Sequence, residues 1–243
     1  MSTSHDSENR EHLGATSQPA ARFDAVWLRR SSGTALRGAS FVLPAGSYHI
    51  LYGAPGSGKT SLMRLMCLAE APSQGVVQLF GRDVMTLAGK QRTELNRRIG
   101  AALQPATFLD HLSVWENAAL GPRVTKRRMA DYASEVDQVL AWMGLAKKAD
   151  ALPAALDVAE RQRLAIARAV VNGPELLLVD EPAGGLPPEA LERLLKIMRE
   201  YRQIGATLLL ATSDPAVVKA AGRPVLRLAD GKITLDDDPG SDL

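Results

Sequence analysis

GAPGSGKT, residues Gly53–Thr60, follows the apolar run Tyr48–Tyr52 and leads into Ser61–Ala69 (SLMRLMCLA), a good helix former. The stretch matches G-x-x-x-x-G-K-[ST] without a gap, and its strand–loop–helix context is what makes the pattern meaningful. Glycines let successive backbone N–H groups turn inward around a phosphate, and the helix start adds its positive dipole end. The predicted binding set is Gly53, Ala54, Pro55, Gly56, Ser57, Gly58, Lys59, Thr60 and Ser61. In such loops the lysine reaches the β- and γ-phosphates and the Ser/Thr hydroxyl ligates Mg²⁺, roles that fall here on Lys59 and Thr60. The stretch predicts a nucleoside triphosphate site on an α/β scaffold.

Further along the chain, Pro174–Pro182 (PELLLVDEP) is an apolar strand ending in two adjacent carboxylates. A carboxylate at the end of a buried strand is well placed to hold the Mg²⁺ of a nucleotide, the role expected of Asp180. Glu181 is expected to orient and polarise the attacking water. Taken alone, the pair reads equally well as a polar strand end entering a turn at Pro182; the phosphate loop upstream tips it toward function. Thr207–Ala211 and Pro224–Leu228 repeat the buried-strand character, and segments 23–28, 39–43, 48–52 and 76–80 are short strand candidates.

Two segments carry a 3.6-residue apolar period: Glu189–Ile204, through Leu191, Leu194, Leu195, Met198 and Tyr201, and Lys126–Met143, through Met129, Ala133, Val136, Leu140 and Met143. Residues 84–145 read as largely helical and interrupt the strand pattern. Helix alternating with buried strand on both sides of that insert predicts a largely parallel sheet with a helical subdomain. Residues 1–21 are polar and small, and the end Asp236–Leu243 (DDDPGSDL) is acidic; both are expected to be tails.

Composition narrows the function classes. A net charge of +2 and scattered basic pairs among acids give no nucleic-acid patch. The four histidines are dispersed without metal-ligand spacing, and the single cysteine, Cys67, excludes an internal disulfide and fits a reducing compartment. No apolar run approaches the roughly 18 residues needed to span a bilayer. A role at a membrane would need another polypeptide to hold the chain there.

The ordered set GAPGSGKT, Gln104 in IGAALQP, ERQRLAIARAVVNGPELLLVDEP and TLLLATSD resembles the ATPase subunit of an ABC transporter over residues 22–234. LFGRDVMTL (79–87), RRIGAAL (97–103) and FLDHLSVWENAAL (108–120) further resemble the bacterial cell-division ABC ATPases of the FtsE type. The resemblance implies an α/β P-loop NTPase of ABC type, with a mixed, mainly parallel core sheet, an antiparallel β subdomain and an inserted α-helical subdomain at about 84–155. It implies domain bounds of 22–234 between tails 1–21 and 235–243. It also implies ATP and Mg²⁺ as ligands, Thr60, Gln104 and Asp180 around the metal, and Glu181, Gln104 and Lys59 in catalysis. The implied partners are an FtsX-like integral membrane permease and a second ATPase, as homodimer or heterodimer. The implied location is the cytoplasmic face of the bacterial inner membrane. The ATPase of an ordinary importer or exporter, or a non-hydrolysing interaction module, are the alternative readings.

Four positions depart from that family's pattern. LSGGQ, expected before the Asp/Glu strand, is replaced by Leu156-Asp157-Val158-Ala159-Glu160. Val158 and Ala159 add Cβ atoms where bare backbone should approach a γ-phosphate, and Asp157 puts a carboxylate near an anion. Ser213 stands where the switch histidine is expected, and Pro187 replaces the D-loop aspartate. Arg29 or Arg30 falls at the adenine-stacking aromatic, with Trp27 nearby. The combined expectation is retained ATP binding with slow hydrolysis.

Overall fold

The computed structural model describes residues 18–31, 33–125, 127–182 and 186–236. The chain forms a four-stranded antiparallel sheet and a six-stranded, mainly parallel sheet, with helices on both faces of the second. The first contains β1 (Ala21–Arg30), β2 (Gly33–Leu43), β4 (Gln74–Leu79) and β5 (Arg82–Asp83), in the order β2-β1-β4-β5. The second contains β3 (Tyr48–Tyr52), β6 (Ile99–Ala102), β7 (Leu176–Asp180), β8 (Thr207–Thr212), β9 (Val225–Ala229) and β10 (Lys232–Asp236). Its order is β10-β9-β3-β8-β7-β6, parallel throughout except for the β9–β10 hairpin.

Strands β7 and β8 are buried at every residue, which is why they read as unbroken apolar runs rather than alternating ones. Their side chains divide between two cores. Leu177, Val179, Leu208 and Leu210 face the cluster that holds the long helices α6 (Val158–Val170) and α7 (Pro188–Gln203). Leu176, Leu178 and Leu209 face the cluster formed by α1 (Lys59–Met66) and the antiparallel sheet. Each fully buried leucine contributes about 1.5–3 kcal/mol relative to exposure, so the central strands anchor both layers.

The remaining helices are α2 (Gly89–Arg97), α3 (Val114–Ala118), α4 (Leu120–Val124), α5 (Met129–Trp142) and α8 (Pro215–Ala221). The expected α5 face is buried at Val136, Leu140 and Met143, whereas Met129 at its start is 62% exposed. In α7, Leu194, Leu195, Met198 and Tyr201 are buried, and the Tyr201 hydroxyl donates to the Pro174 carbonyl.

Three expectations about boundaries are corrected. The stretch 84–145 is not continuously helical: β6 lies within it and pairs with β7 through Ile99–Ala102. That strand is four residues, IGAA, at the sheet edge, too short and with too few large apolar side chains to show a period. At the start, Ala20 and Ala21 are buried and Ala21 opens β1, so the fold begins inside the expected tail 1–21. At the end, Leu235 and Asp236 belong to β10, where Asp236 pairs with Arg227. Residues 1–17 and 237–243, the rest of both expected tails, lie outside the described residues.

Candidate functional site

Four connections leave the same edge of the parallel sheet: the glycine-rich loop after β3, Gln104 after β6, Glu181 after β7 and Ser213 after β8. Side chains far apart in sequence meet there because the strands are parallel and neighbouring, the general place for ligands in open α/β sheets.

The loop's glycines have structural reasons. A Cβ on Gly53 would lie 2.4 Å from the Leu228 carbonyl oxygen and 2.7 Å from Ser57 Oγ. Gly58 is the N-cap of α1 at φ 109, and a Cβ there would lie 2.7 Å from the Ala35 carbonyl oxygen. Only bare backbone can press this loop against β2 and β9.

Lys59 is 5% exposed and donates to the carbonyls of Gly53 at 2.7 Å and Ala54 at 3.1 Å. Its Nζ also lies 3.2 Å from Glu181 Oε1. Thr60 Oγ1 donates to Asp180 Oδ2 at 2.6 Å. Burial pushes the Asp180 carboxyl above the ordinary aspartate range; the Thr60 hydrogen bond pulls it down, and the nearby Glu181 charge pushes it up again. Asp180 Oδ1 and Ser57 Oγ are buried without a hydrogen-bond partner. A buried carboxylate oxygen with no donor, beside a hydroxyl oxygen, suits a hard divalent cation such as Mg²⁺. The oxygen set therefore fits the metal of a nucleotide. Ser61 is buried behind the loop, whereas Ala54 and Pro55 are exposed on it.

Glu181 adopts a left-handed backbone at φ 45, unusual for a residue with a side chain. Its N–H donates to the Ala211 carbonyl at 2.9 Å, and its own carbonyl accepts from Gln104 Nε2 at 2.8 Å. Its carboxylate is divided: Oε1 faces Lys59, and Oε2 accepts the Ser213 backbone N–H at 3.1 Å. The structure thus brings Lys59, Thr60, Gln104, Asp180 and Glu181 into one cluster. The Ser213 amide had no signal in the sequence, since any residue but proline supplies one.

The start of α6 lies in the stretch that replaces LSGGQ. Asp157 accepts the Glu160 N–H at 2.7 Å while Glu160 Oε2 accepts the Asp157 N–H at 2.9 Å, a reciprocal capping box. Lys148 Nζ sits 2.6 Å from the same Glu160 oxygen and holds that carboxyl below the usual glutamate range. Asp157 is thus committed to its own helix rather than left as a free carboxylate. Val158, at the first helical position, is 61% exposed.

A cavity of about 770 Å³ adjoins the glycine-rich loop, lined in part by Thr34, Arg37, Pro55, Ser57, Asp230 and Lys232. At the position expected for an adenine-stacking ring, Arg29 lies over the Trp27 ring at 5.3 Å and Arg30 pairs with Glu70. Pro187, in the place of the D-loop aspartate, is the N-cap of α7, and its carbonyl accepts from Ala190 and Leu191. Ala183, Gly184 and Gly185 lie outside the described residues.

The family model described as "ABC transporter" matches residues 36–184. The Cell division ATP-binding protein FtsE of Mycobacterium tuberculosis (strain H37Rv) is 34% identical over 212 residues, covering 87% of this chain and 92% of the relative. FtsE of Escherichia coli (strain K12) is 35% identical over 199 residues, covering 82% and 90%. The Methionine import ATP-binding protein MetN 1 of Acinetobacter baylyi is 34% identical over 200 residues, covering 82% of this chain but 56% of the relative. Among solved structures, the ATP-binding cassette MJ0796, in a dimeric post-hydrolysis state bound to ADP and Pi, superposes with a TM-score of 0.82. It is 23% identical and covers 89% of this chain and 98% of its own, a likeness of fold.

Proposed function

Because the chain belongs to the ABC transporter family of ATP-binding proteins, we propose that it is the MgATP-binding, slowly hydrolysing subunit of an FtsEX-like complex in cell division. In this reading it works at the cytoplasmic face of a bacterial inner membrane, held there by an FtsX-like permease and paired with a second ATPase subunit. The observation that carries the nucleotide reading is the cluster of Lys59, Thr60, Asp180 and Glu181, with two buried oxygens, Ser57 Oγ and Asp180 Oδ1, lacking partners.

Within that cluster each residue has a role its chemistry supports. The backbone amides of Gly56, Gly58, Lys59 and Thr60, where the loop enters α1, hold the phosphates, and Lys59 neutralises their charge. Thr60 and Asp180 supply oxygens to Mg²⁺, which when bound supplies electrostatic stabilisation of the transferring phosphoryl group. Gln104, just after β6, fixes the Glu181 carbonyl and lines the same edge. Glu181 orients the attacking water once its carboxylate is released from Lys59.

Slow turnover follows from the α6 start. Its Glu160 N–H is taken by the Asp157 carboxylate in the capping box, and Asp157, Val158 and Ala159 give a facing nucleotide neither a serine hydroxyl nor bare backbone. The cell-division role is supported by FtsE relatives matched along nine-tenths or more of their length. An import ATPase would use the same nucleotide cluster, and MetN relatives are similarly identical.

Purification with the co-expressed membrane partner, with ATP binding and phosphate release measured together, tests the proposal. The expected result is ATP binding lost in Lys59→Ala, weak phosphate release, and an FtsX-like partner. Turnover equal to that of an ABC ATPase with intact LSGGQ, and abolished by Lys59→Ala, refutes the impairment. Co-purification of a methionine-type permease refutes the division role.

A further inference from the structure

The turn after β8 contains no imidazole, yet it touches the residue expected to handle water. Thr212 is fully buried, and its Oγ1 accepts the Asp214 N–H at 3.0 Å. Asp214 in turn caps α8, its carboxylate accepting the Ala216 N–H at 2.8 Å. These two bonds fix the backbone on both sides of Ser213. The Ser213 N–H is thereby aimed at Glu181 Oε2, 3.1 Å away, while the other carboxylate oxygen faces Lys59. Beneath them, the Glu181 N–H is bonded to Ala211 on the same strand, so β8 holds both the backbone and the carboxylate of this residue.

We propose that the Thr212–Asp214 turn is the positioning device for Glu181, acting through the Ser213 main-chain amide rather than through a side chain at residue 213. When a terminal phosphate draws Lys59 away from Glu181, the amide is the contact that remains and keeps the carboxylate at the cluster. A hydrogen bond to an ionised acceptor is the strong kind, and a backbone donor flanked by two fixed neighbours loses little entropy in making it. The inference rests on the reading of Glu181 as the residue that orients water, and it makes Thr212 a positioning residue although it touches no reacting atom.

The test uses the full chain with two readouts, amide hydrogen exchange at Ser213 and steady-state ATP turnover. Exchange at Ser213 is expected to be protected in the wild type and in Ser213→Ala, which keeps the amide. Protection is expected to fall by about tenfold or more in Glu181→Ala and in Thr212→Val, and to return in Thr212→Ser, which keeps the hydroxyl. Thr212→Val is expected to lower kcat with KM for ATP within about twofold of wild type, because the phosphate loop is untouched. Equal Ser213 exchange in wild type and Glu181→Ala overturns the positioning. So does Thr212→Val that loses protection but keeps wild-type kcat. Glu181-dependent protection in a chain whose phosphate release does not exceed that of Lys59→Ala overturns the hydrolytic reading while leaving the contact itself standing.

Discussion

Restoring a serine and two glycines at the start of α6 is expected to make this chain a faster ATPase and a less stable protein. The variant is Asp157→Ser, Val158→Gly, Ala159→Gly. Serine caps nearly as well as aspartate, and Ser-x-x-Glu with Glu160 is still a capping box, so the cap change is close to neutral. Val158 is 61% exposed, so its removal forfeits little packing. Two glycines in the first turn cost about 0.4 kcal/mol against valine and about 1 kcal/mol against alanine, roughly 1.5 kcal/mol together. In a chain of this size that lowers Tm by about 3–6 °C. On the functional side, removing one oriented transition-state donor typically costs about 10²–10³ in rate. Ser213 and Pro187 stay altered, so a gain of about tenfold is the conservative expectation. Differential scanning fluorimetry and a phosphate-release assay on the same preparation read both effects. If Tm falls as worked and ATP binding is kept, yet turnover stays within twofold of wild type, the α6 start does not limit this site.

Three further substitutions test the cluster and its surroundings. Asp180→Asn is expected to raise Tm at pH 7: burial holds the carboxyl above its ordinary range, so its ionised form costs stability there. The gain should shrink as pH falls through that raised value and the wild-type carboxyl becomes neutral, and Mg²⁺-dependence of nucleotide binding should be lost; a lower Tm at pH 7 contradicts the burial argument. Lys148→Met removes the partner that holds Glu160 below its ordinary value of 4.5. The pair's contribution, under about 1 kcal/mol because Lys148 is 43% exposed, is present above that value and lost as pH falls below it. Wild type and variant should therefore differ by urea denaturation at pH 7 and converge in acid; a difference that persists below pH 3 points to packing instead. Gly53→Ala would place a Cβ 2.4 Å from the Leu228 carbonyl oxygen, costing about 1–3 kcal/mol and abolishing ATP binding in fluorescent-nucleotide titrations; wild-type affinity would show that the loop does not need that contact.

The parts of this protein visible in its sequence are those where a residue type is the mechanism. Gly53 and Gly58 are needed because a Cβ collides with backbone, and Leu176–Asp180 is apolar because both its faces are covered. The helical face of α7 shows for the same reason. What stayed hidden depends on backbone or on edges. Strand β6 is only four residues, one isoleucine followed by glycine and two alanines, whose partner, β7, lies more than seventy positions away, and β10 is an exposed strand held by the β9 hairpin. The Ser213 amide is invisible because every non-proline residue carries one.

Asp157 shows how the two kinds of information combine. As a residue type it reads as a misplaced negative charge where a phosphate should approach. In the structure the charge has a use: it caps α6 with Glu160, and Lys148 joins from the short 3-10 turn Ala146–Lys148 that follows α5. The two readings are compatible, because a carboxylate bonded to the helix N-terminus still fills the place from which those N–H groups would reach outward. They also locate the change on one side of the chemistry. The phosphate loop, Asp180 and Glu181 keep their mutual contacts within the chain, whereas the α6 start and Pro187 stand outside that contact set, and the proposed pairing with a second ATPase would turn them toward that subunit's nucleotide. A neighbouring subunit with an intact LSGGQ would therefore restore catalysis at this chain's own loop more readily than a second copy of this chain. Mixing the purified chain with an excess of an FtsE relative whose own phosphate-loop lysine is mutated separates the cases. Phosphate release above the sum of the separate proteins is expected, and a strictly additive rate would mean that this chain's loop gains nothing from a better partner.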